Sequence, residues 1–379
     1  MTGAVIAGYA RSPFQPAGKG SLARVRPDDL AAQVVRALVA RTGVDSDDIE
    51  DLLLGCAFPE GEQGFNAGRI VGLLAGLPLT VGGATVNRFC GSSMQSVHMA
   101  AGAIAIGAGD VFICAGVESM SRIPMGGFNP MPNPDLARER PGAYATMGET
   151  AENVARQYQI TRADQEAFAV ASQRKAAEAR DAGRFAAEIV PIVTKAGTVD
   201  RDGCLRPDTS GEGLAALKPA FDGNGTVTAG TASPLTDGAS AVLVCSADYA
   251  ERHGLTVLAR IRSVGVSGCK PETMGLGPIG ASRKALARSG GVAAADLDVV
   301  ELNEAFASQA IACAKELGLR DEAVNRDGGA IALGHPLGAT GARIVGKAAE
   351  ILSRDGGRFA LATQCIGGGQ GIATLLERA

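Results

Sequence analysis

Tryptophan is absent from this chain, and 4 Tyr and 11 Phe among 379 residues leave aromatics at 4%. So few rings provide no stacking platform for bases. No block of Lys and Arg interrupts the spread of 36 basic against 40 acidic residues, and the net charge of −4 supports no electrostatic nucleic-acid surface. No apolar run reaches the length a bilayer span needs. The start, Met1 to Arg11, lacks a basic leader followed by a long apolar stretch, and reads as a first core strand rather than a signal peptide. None of the eight cysteines forms a C-x-x-C pair, which argues against a structural zinc site and against a disulfide framework. No metal is expected, and a cytoplasmic protein with reduced thiols is the expectation.

What is present is glycine, 52 residues of it, in a chain 46% hydrophobic and 20% charged. Such a composition suits a globular protein with closely packed helices and tight turns. The length exceeds what one core usually serves, so two or three domains are expected. A duplication frames them. Gly43-Val44-Asp45 through Leu52 and Gly291-Val292-Ala293 through Val300 both follow a helix-like segment and lead into an apolar strand, 248 positions apart (291 − 43). The same shift carries Cys90 to Gly338 and Val111-Phe112-Ile113-Cys114 to Phe359-Ala360-Leu361-Ala362. Two similar α/β halves follow from that repetition. Between them, roughly 118 to 236, lies a Pro-, Gly- and Met-rich stretch. A charged helical segment over about Glu149 to Ala182 and a turn-rich end at 225–234 complete it. An insertion of that length is usually a lid or binding loop.

Three reactive groups sit beside glycines. Cys90, in Asn87-Arg88-Phe89-Cys90-Gly91-Ser92-Ser93-Met94, falls where an extended stretch meets a helix predicted over Ser92 to Ile106. The positive end of that helix favours the thiolate; the bland alternative is a small buried cysteine. His335, in Gly334-His335-Pro336, is one of 3 histidines and fits either catalysis or a satisfied turn. Cys365 is followed by Ile366 and then Gly367-Gly368-Gly369, whose backbone N–H groups can point at a ligand atom or simply form a tight turn. Asn303 and Glu304 end an apolar strand, the place where α/β sheets collect active-site groups, or else cap a helix. Gly275-Leu276-Gly277-Pro278-Ile279-Gly280 matches G-x-G-x-x-G, but Lys270 to Thr273 separates it from the preceding strand and Pro278 lies inside it, so a dinucleotide site is disfavoured. Two cysteines and a histidine suit a covalent acyl enzyme with a separate proton carrier.

The segments around Cys90, Gly116-Val117-Glu118-Ser119-Met120, Asn303-Glu304-Ala305-Phe306, Gly328 through Gly341 and Cys365 through Gly371 resemble the thiolase family, over essentially the whole chain. The resemblance implies an α/β thiolase-like fold. Two duplicated βαβ-rich halves would form a layered α-β-α-β-α core with an inserted loop domain. The N-terminal half would take 1–117 plus 237–256, the loop domain 118–236 and the C-terminal half 257–379. It implies Cys90 as the acyl-accepting nucleophile, His335 as its base, and Cys365 as the acid/base at the α-carbon, with a pKa near neutral. Asn303 would orient a water beside His335, and the N–H groups of Cys90 and Gly367 would form a second oxyanion hole. Leu217, Phe221, Ala229, Ser233, Met147 and Met274 would contact CoA and its channel.

Acyl-CoA and CoA are the implied partners, CoA as a substrate with no resident cofactor, in a homodimer or homotetramer with no nucleic acid or membrane bound. Relatives tuned to acetoacetyl-CoA often carry His where this chain has Thr146. Its Thr146-Met147-Gly148-Glu149 and Ser233-Pro234-Leu235-Thr236 are closer to the degradative 3-ketoacyl-CoA branch. A ketosynthase-type enzyme would carry His or Asn in place of Cys365, and a silent CoA-binding relative would lack one of the three reactive groups.

Overall fold

The computed structural model describes residues 3–379. Nine strands carry the main sheet: β1 (Ala4–Arg11), β2 (Asp51–Gly55), β3 (Gly82–Val86), β4 (Val111–Ser119), β5 (Thr236–Ser246), β6 (Ala259–Gly268), β7 (Val299–Leu302), β8 (Phe359–Ile366) and β9 (Gln370–Glu377). Their order is β7-β8-β9-β6-β1-β5-β4-β2-β3, with the two-residue strand Gln15–Pro16 added beside β5. The sheet joins two halves at a narrow seam, since β1 and β6 pair only through Val5↔Arg260 and Ile6↔Ala259. In each half a parallel set meets antiparallel strands: β2 lies parallel to β3 and β4, and β7 parallel to β8. The 248-residue shift recurs in the elements, from the start of β4 at Val111 to that of β8 at Phe359 (359 − 111), and from the turn at Ser46–Asp48 to that at Ala294–Asp296.

Helices form three layers about these halves. The outer layer on one side is α1 (Pro27–Thr42) and α2 (Ala67–Ala75), whose Leu30, Val34, Leu38 and Val71 pack on Leu52, Leu54, Ile113 and Leu243. Proline at its first turn, Asp28 and Asp29 beside it, and left-handed Gly43 at its end fix the limits of α1. The middle layer is α3 (Ser92–Ala105) and α8 (Leu337–Asp355). Met94, Val97, Ala342 and Val345 there meet Leu53 and Val242 of one half and Ala360, Ala362 and Ile366 of the other. A Cβ on Gly341 would come within 2.2 Å of the Met94 nitrogen, so only glycine lets these two backbones cross so closely. The far outer layer is α6 (Gly277–Ala287) and α7 (Ala307–Leu317), covering Leu361 and Leu375. Each fully buried Leu, Ile or Val contributes about 1.5–3 kcal/mol relative to exposure.

From Leu337 to Ala349 every residue of α8 is buried, charged ones included. Lys347 forms ion pairs with Glu188, Asp327 and Glu350 at 3.1, 2.9 and 2.9 Å, and Arg343 with Glu301 at 2.7 Å. Glu188 also accepts from Arg11, which reaches Asp202. Nothing in the sequence pattern announces this network, because each charge reads alone as a surface residue. Removing one partner of such a buried pair costs about 3–5 kcal/mol.

Between Ser119 and Thr236 the chain leaves the sheet. The helical segment expected as one piece over Glu149 to Ala182 is two helices, α4 (Met147–Tyr158) and α5 (Arg162–Asp181). Gln159 turns left-handed at φ 55, and Thr161 starts the second helix with a capping box to Asp164. The G-x-G-x-x-G segment opens α6 as a packing device: a Cβ on Gly277 would lie 2.0 Å from the Gln370 carbonyl oxygen of β9. Among the described residues, no helix is long and apolar enough to cross a membrane.

Candidate active site

Cys90 lies between the end of β3 and the start of α3, where the chain must reverse sharply. Phe89 takes φ 42, uncommon for a residue with a side chain. Side chains hold the turn: Asn87 Oδ1 accepts from Phe89 N (2.9 Å), and Ser92 Oγ accepts from Arg88 N (2.9 Å) while donating to the Phe89 carbonyl (2.5 Å). Helix α3 begins at Ser92, with Gly91 as its cap. The thiol is 8% exposed. Burial pushes it up to about 11; hydrogen bonding from Gly367 N–H pulls down, the Glu118 carboxylate pushes up, and its own N–H pulls down. The thiolate expected from the helix end is therefore a neutral thiol at rest. A helix terminus supplies about 0.3–1 kcal/mol, whereas full burial shifts a pKa by up to about 3–5 units.

His335 precedes α8 and is 4% exposed. Thr340 Oγ1 donates to the Pro336 carbonyl (3.1 Å), so it accepts from Nδ1–H of His335 at 2.6 Å. That leaves Nε2 without a proton, its lone pair accepting from Asn303 Nδ2 at 3.3 Å. Asn303 sits one residue past β7, and its Oδ1 is buried without a partner. Burial, with the nearby Arg343 charge, lowers His335 to about 3. Its unfolded value is 6.5. Below that pH the unfolded chain takes a proton that the native imidazole refuses, so stability present above pH 6.5 is lost as pH falls. Between pH 6 and 4, His335→Gln should flatten the pH dependence of the unfolding free energy by about 1.4 kcal/mol per pH unit. Urea melts at several pH values read this slope; equal slopes for parent and variant would show that the imidazole titrates alike in both states.

Cys365 lies on β8, fully buried, on the face opposite Gln364. Burial first, then the neighbouring Cys90 and Cys313, raise its thiol well above the ordinary value. The near-neutral second thiol is thus corrected to an un-ionised one. After Ile366 the chain turns through Gly368 and Gly369, at φ 78 and 85, back into β9. That hairpin sets Gly367 N–H at the Cys90 sulfur.

A cavity of about 180 Å³ joins these groups: Cys90, His335 and Cys365 all line it, walled by Met147, Met274, Phe306 and Leu337. Phe221, Ser233 and Thr146 line it too. Phe221 is held edge-on to Phe306, 5.8 Å between ring centres. Ser233 donates to the Ala305 carbonyl from both N (3.0 Å) and Oγ (3.1 Å). Thr146 caps α4 through Glu149, which explains a hydroxyl residue there without any role in chemistry. Leu217 and Ala229 differ from the rest: both are exposed and neither lines this cavity. Leu217 lies beside Gly230, where a Cβ would be 2.8 Å from its Cδ1.

Two carboxylates act as braces: the sequence does not single out Glu118, and it marks Glu304 as a strand-end active-site candidate or helix cap. Glu118 accepts from Ala57 N (2.8 Å), Gly338 N (2.8 Å) and Gln63 Nε2 (2.7 Å), tying the end of β2 to the start of α8 beside His335. Glu304 accepts from Ser172 Oγ (2.6 Å), Asn325 Nδ2 (2.7 Å) and Ile331 N (3.1 Å), and fixes the loop that leads to His335. Both stood within quoted motifs, but a buried carboxylate serving N–H groups has no signature of its own.

Residues 4–248 match the family model described as the thiolase N-terminal domain, and residues 255–378 that of the thiolase C-terminal domain. The chain belongs to the thiolase family. Among its relatives, the 3-ketoacyl-CoA thiolase of Bacillus subtilis (strain 168) is 47% identical over 390 residues, covering 100% of both chains. That of Shewanella frigidimarina (strain NCIMB 400) is 48% identical over 388 residues, again 100% of both. A third, from Marinomonas sp. (strain MWYL1), is 48% identical over 384 residues, 99% of this chain and 98% of its own. The layered α/β architecture described above is thus that of a thiolase, an acyltransferase.

Proposed function

We propose that this thiolase cleaves 3-ketoacyl-CoA with CoA, giving acetyl-CoA and a shortened acyl-CoA, by a reversible Claisen reaction through acyl-Cys90. The observation that carries the reading is the convergence of Cys90, His335 and Cys365, from three distant chain segments, on one apolar cavity. The Cys90 proton passes to His335 Nε2 as sulfur attacks the ketone carbon. The resulting oxyanion lies within reach of the Cys90 and Gly367 N–H groups. Collapse breaks the bond between the ketone and α-carbons, and the Cys365 thiol protonates the departing acetyl-CoA carbanion. The Cys365 thiolate left behind takes the proton of an incoming CoA thiol. CoA sulfur then attacks the thioester, and Cys90 leaves with its proton returned from His335. Asn303, donating to Nε2 until the Cys90 proton takes that lone pair, keeps the resting imidazole aimed, and its free Oδ1 suits a water at the thioester oxygen. CoA enters as substrate, with Phe221, Ser233, Met147 and Met274 along its channel and exposed Leu217 and Ala229 at the outer surface.

The degradative branch is favoured by Thr146 and by the four methionines, Met120, Met125, Met147 and Met274, around the cavity. Flexible thioethers repack around different tails. Each further buried CH₂ contributes about 0.8 kcal/mol. At least one medium-chain or branched 3-ketoacyl-CoA should therefore exceed acetoacetyl-CoA in kcat/KM. A chain-length series assayed for CoA-dependent cleavage measures this, and a steep fall beyond four carbons would move the enzyme to the acetoacetyl-CoA branch.

The same reading includes a second copy of the chain. Strand β3, Gly82-Gly83-Ala84-Thr85-Val86, is an uncharged sheet edge with an open ladder. Near it stand Phe65, next to Asn66 whose amide donates to the Gly83 carbonyl, and Leu79, three residues before the strand, 95% and 80% exposed. Light scattering after gel filtration should report at least a dimer, and Phe65→Asp with Leu79→Asp should shift it toward the monomer. A parent protein that elutes as a monomer at micromolar concentration would end this proposal.

A further inference from the structure

Strand β8 alternates its side chains between two faces. Ala360, Ala362 and Ile366 turn toward the middle helix layer and join its apolar cluster. Gln364 falls in the same register, fully buried among them. An amide in such a row is costly, and this one is only half satisfied: its Oε1 has no partner. Its Nε2 donates to the carbonyl oxygen of Cys90. Helix α3 does not use that oxygen, since the bond at its start runs from Gln95 N to the Gly91 carbonyl (2.9 Å). Gln364 is thus the cross-link from the strand bearing Cys365 to the turn bearing Cys90. That turn needs holding, because Phe89 sits in the left-handed region at φ 42.

We propose that Gln364 is a positioning residue for acyl transfer, whose amide fixes the Cys90 peptide and with it the aim of the thiol. This rests on the reading of Cys90 as the nucleophile. The residue touches neither substrate nor cavity; it acts through the Cys90 backbone. A purely structural glutamine would show its loss in stability alone, since an apolar residue of its own length leaves the Cys90 carbonyl without its donor at a cost of about 1–3 kcal/mol. A positioning glutamine would show a loss confined to the chemistry.

The test compares Gln364→Met and Gln364→Glu with the parent in the full-length enzyme. Measured are kcat and KM for acetoacetyl-CoA, the rate of Cys90 alkylation by iodoacetamide, the rate of acetyl transfer from acetyl-CoA by intact mass, and the thermal midpoint. For Gln364→Met the expected result is a fall in kcat and acetyl transfer of about 10- to 100-fold, the scale of a misplaced reacting group. KM should stay within about threefold and the alkylation rate of Cys90 should change several-fold, with the midpoint unmoved beyond a few degrees. Gln364→Glu, whose protonated acid can donate the same bond, should recover most of the activity at pH 6 and lose it as pH rises. Alkylation, acetyl transfer and kcat within twofold of the parent in Gln364→Met would overturn the proposal. So would a fall in midpoint that matches the loss of activity without rescue by glutamate. A parent enzyme in which Cys90 is never acetylated would strike the nucleophile assignment instead, and unchanged alkylation strikes the positioning role independently of it.

Discussion

Serine in place of Cys90 should leave an enzyme that never becomes acylated. Incubated with acetyl-CoA, the parent should gain an acetyl group on the peptide containing Cys90, and the variant should gain none there or elsewhere. Turnover should fall by about 10⁴-fold or more, the scale on which a covalent nucleophile is lost. The reason is local. Cys90 is a neutral thiol at rest, held up by burial to about 11. His335 is neutral as well, lowered to about 3. Attack therefore needs a proton transfer between two un-ionised groups as the carbon–sulfur bond forms, which a polarisable, more acidic thiol sustains and an alcohol does not. Acetylation found on another cysteine would refute the assignment.

Alanine at Cys365 should divide the reaction in two. The acetyl-enzyme should still form, because CoA thiolate is stable in water and leaves with little help from an acid. Cleavage and condensation should fall by about 10²- to 10⁴-fold, since a carbanion at the α-carbon cannot depart unprotonated. Burst acetylation of Cys90 alongside steady-state turnover separates the two steps. The raised pKa of Cys365 suits it to this step. A buried thiol that keeps its proton is a ready acid at neutral pH, and becomes a strong base once it has given that proton away. Near-normal turnover in the variant would refute the two-cysteine scheme.

The three residues that meet at the cavity, Cys90, His335 and Cys365, were legible in the sequence as candidates because each occupies a strand or loop end beside glycines. Met147, Phe221, Ser233 and Met274 were legible through the same motifs, whereas Leu217 and Ala229 lie outside the cavity that the motifs suggested they share. The ionisation of the two thiols was not legible. A helix N-terminus can be seen in a sequence, but burial, the larger effect, depends on how completely α3, β8 and the loop from Ser119 to Thr236 close over the sulfurs. Gln364 was invisible for a related reason. A glutamine in an alternating strand reads as a solvent-facing residue until the second helix layer is seen against that face. The break at Gln159 could have been found, since Thr161 with Asp164 three residues on is a capping pattern visible in sequence alone.

The position of α8 has a consequence for how the chain is made. This helix belongs to the C-terminal family domain, yet it packs on β4 and β5 of the N-terminal one as well as on β8. A ribosome finishes β5 at Ser246 and reaches Leu337 only 91 residues later (337 − 246). At synthesis rates of roughly 5–20 residues per second, the first half waits roughly 5–20 seconds with α3 alone on the inner face of its sheet. During that interval Leu53, Cys114 and Val242 have only Met94, Val97 and their helix against them, and the second helix that completes the layer has not yet been translated.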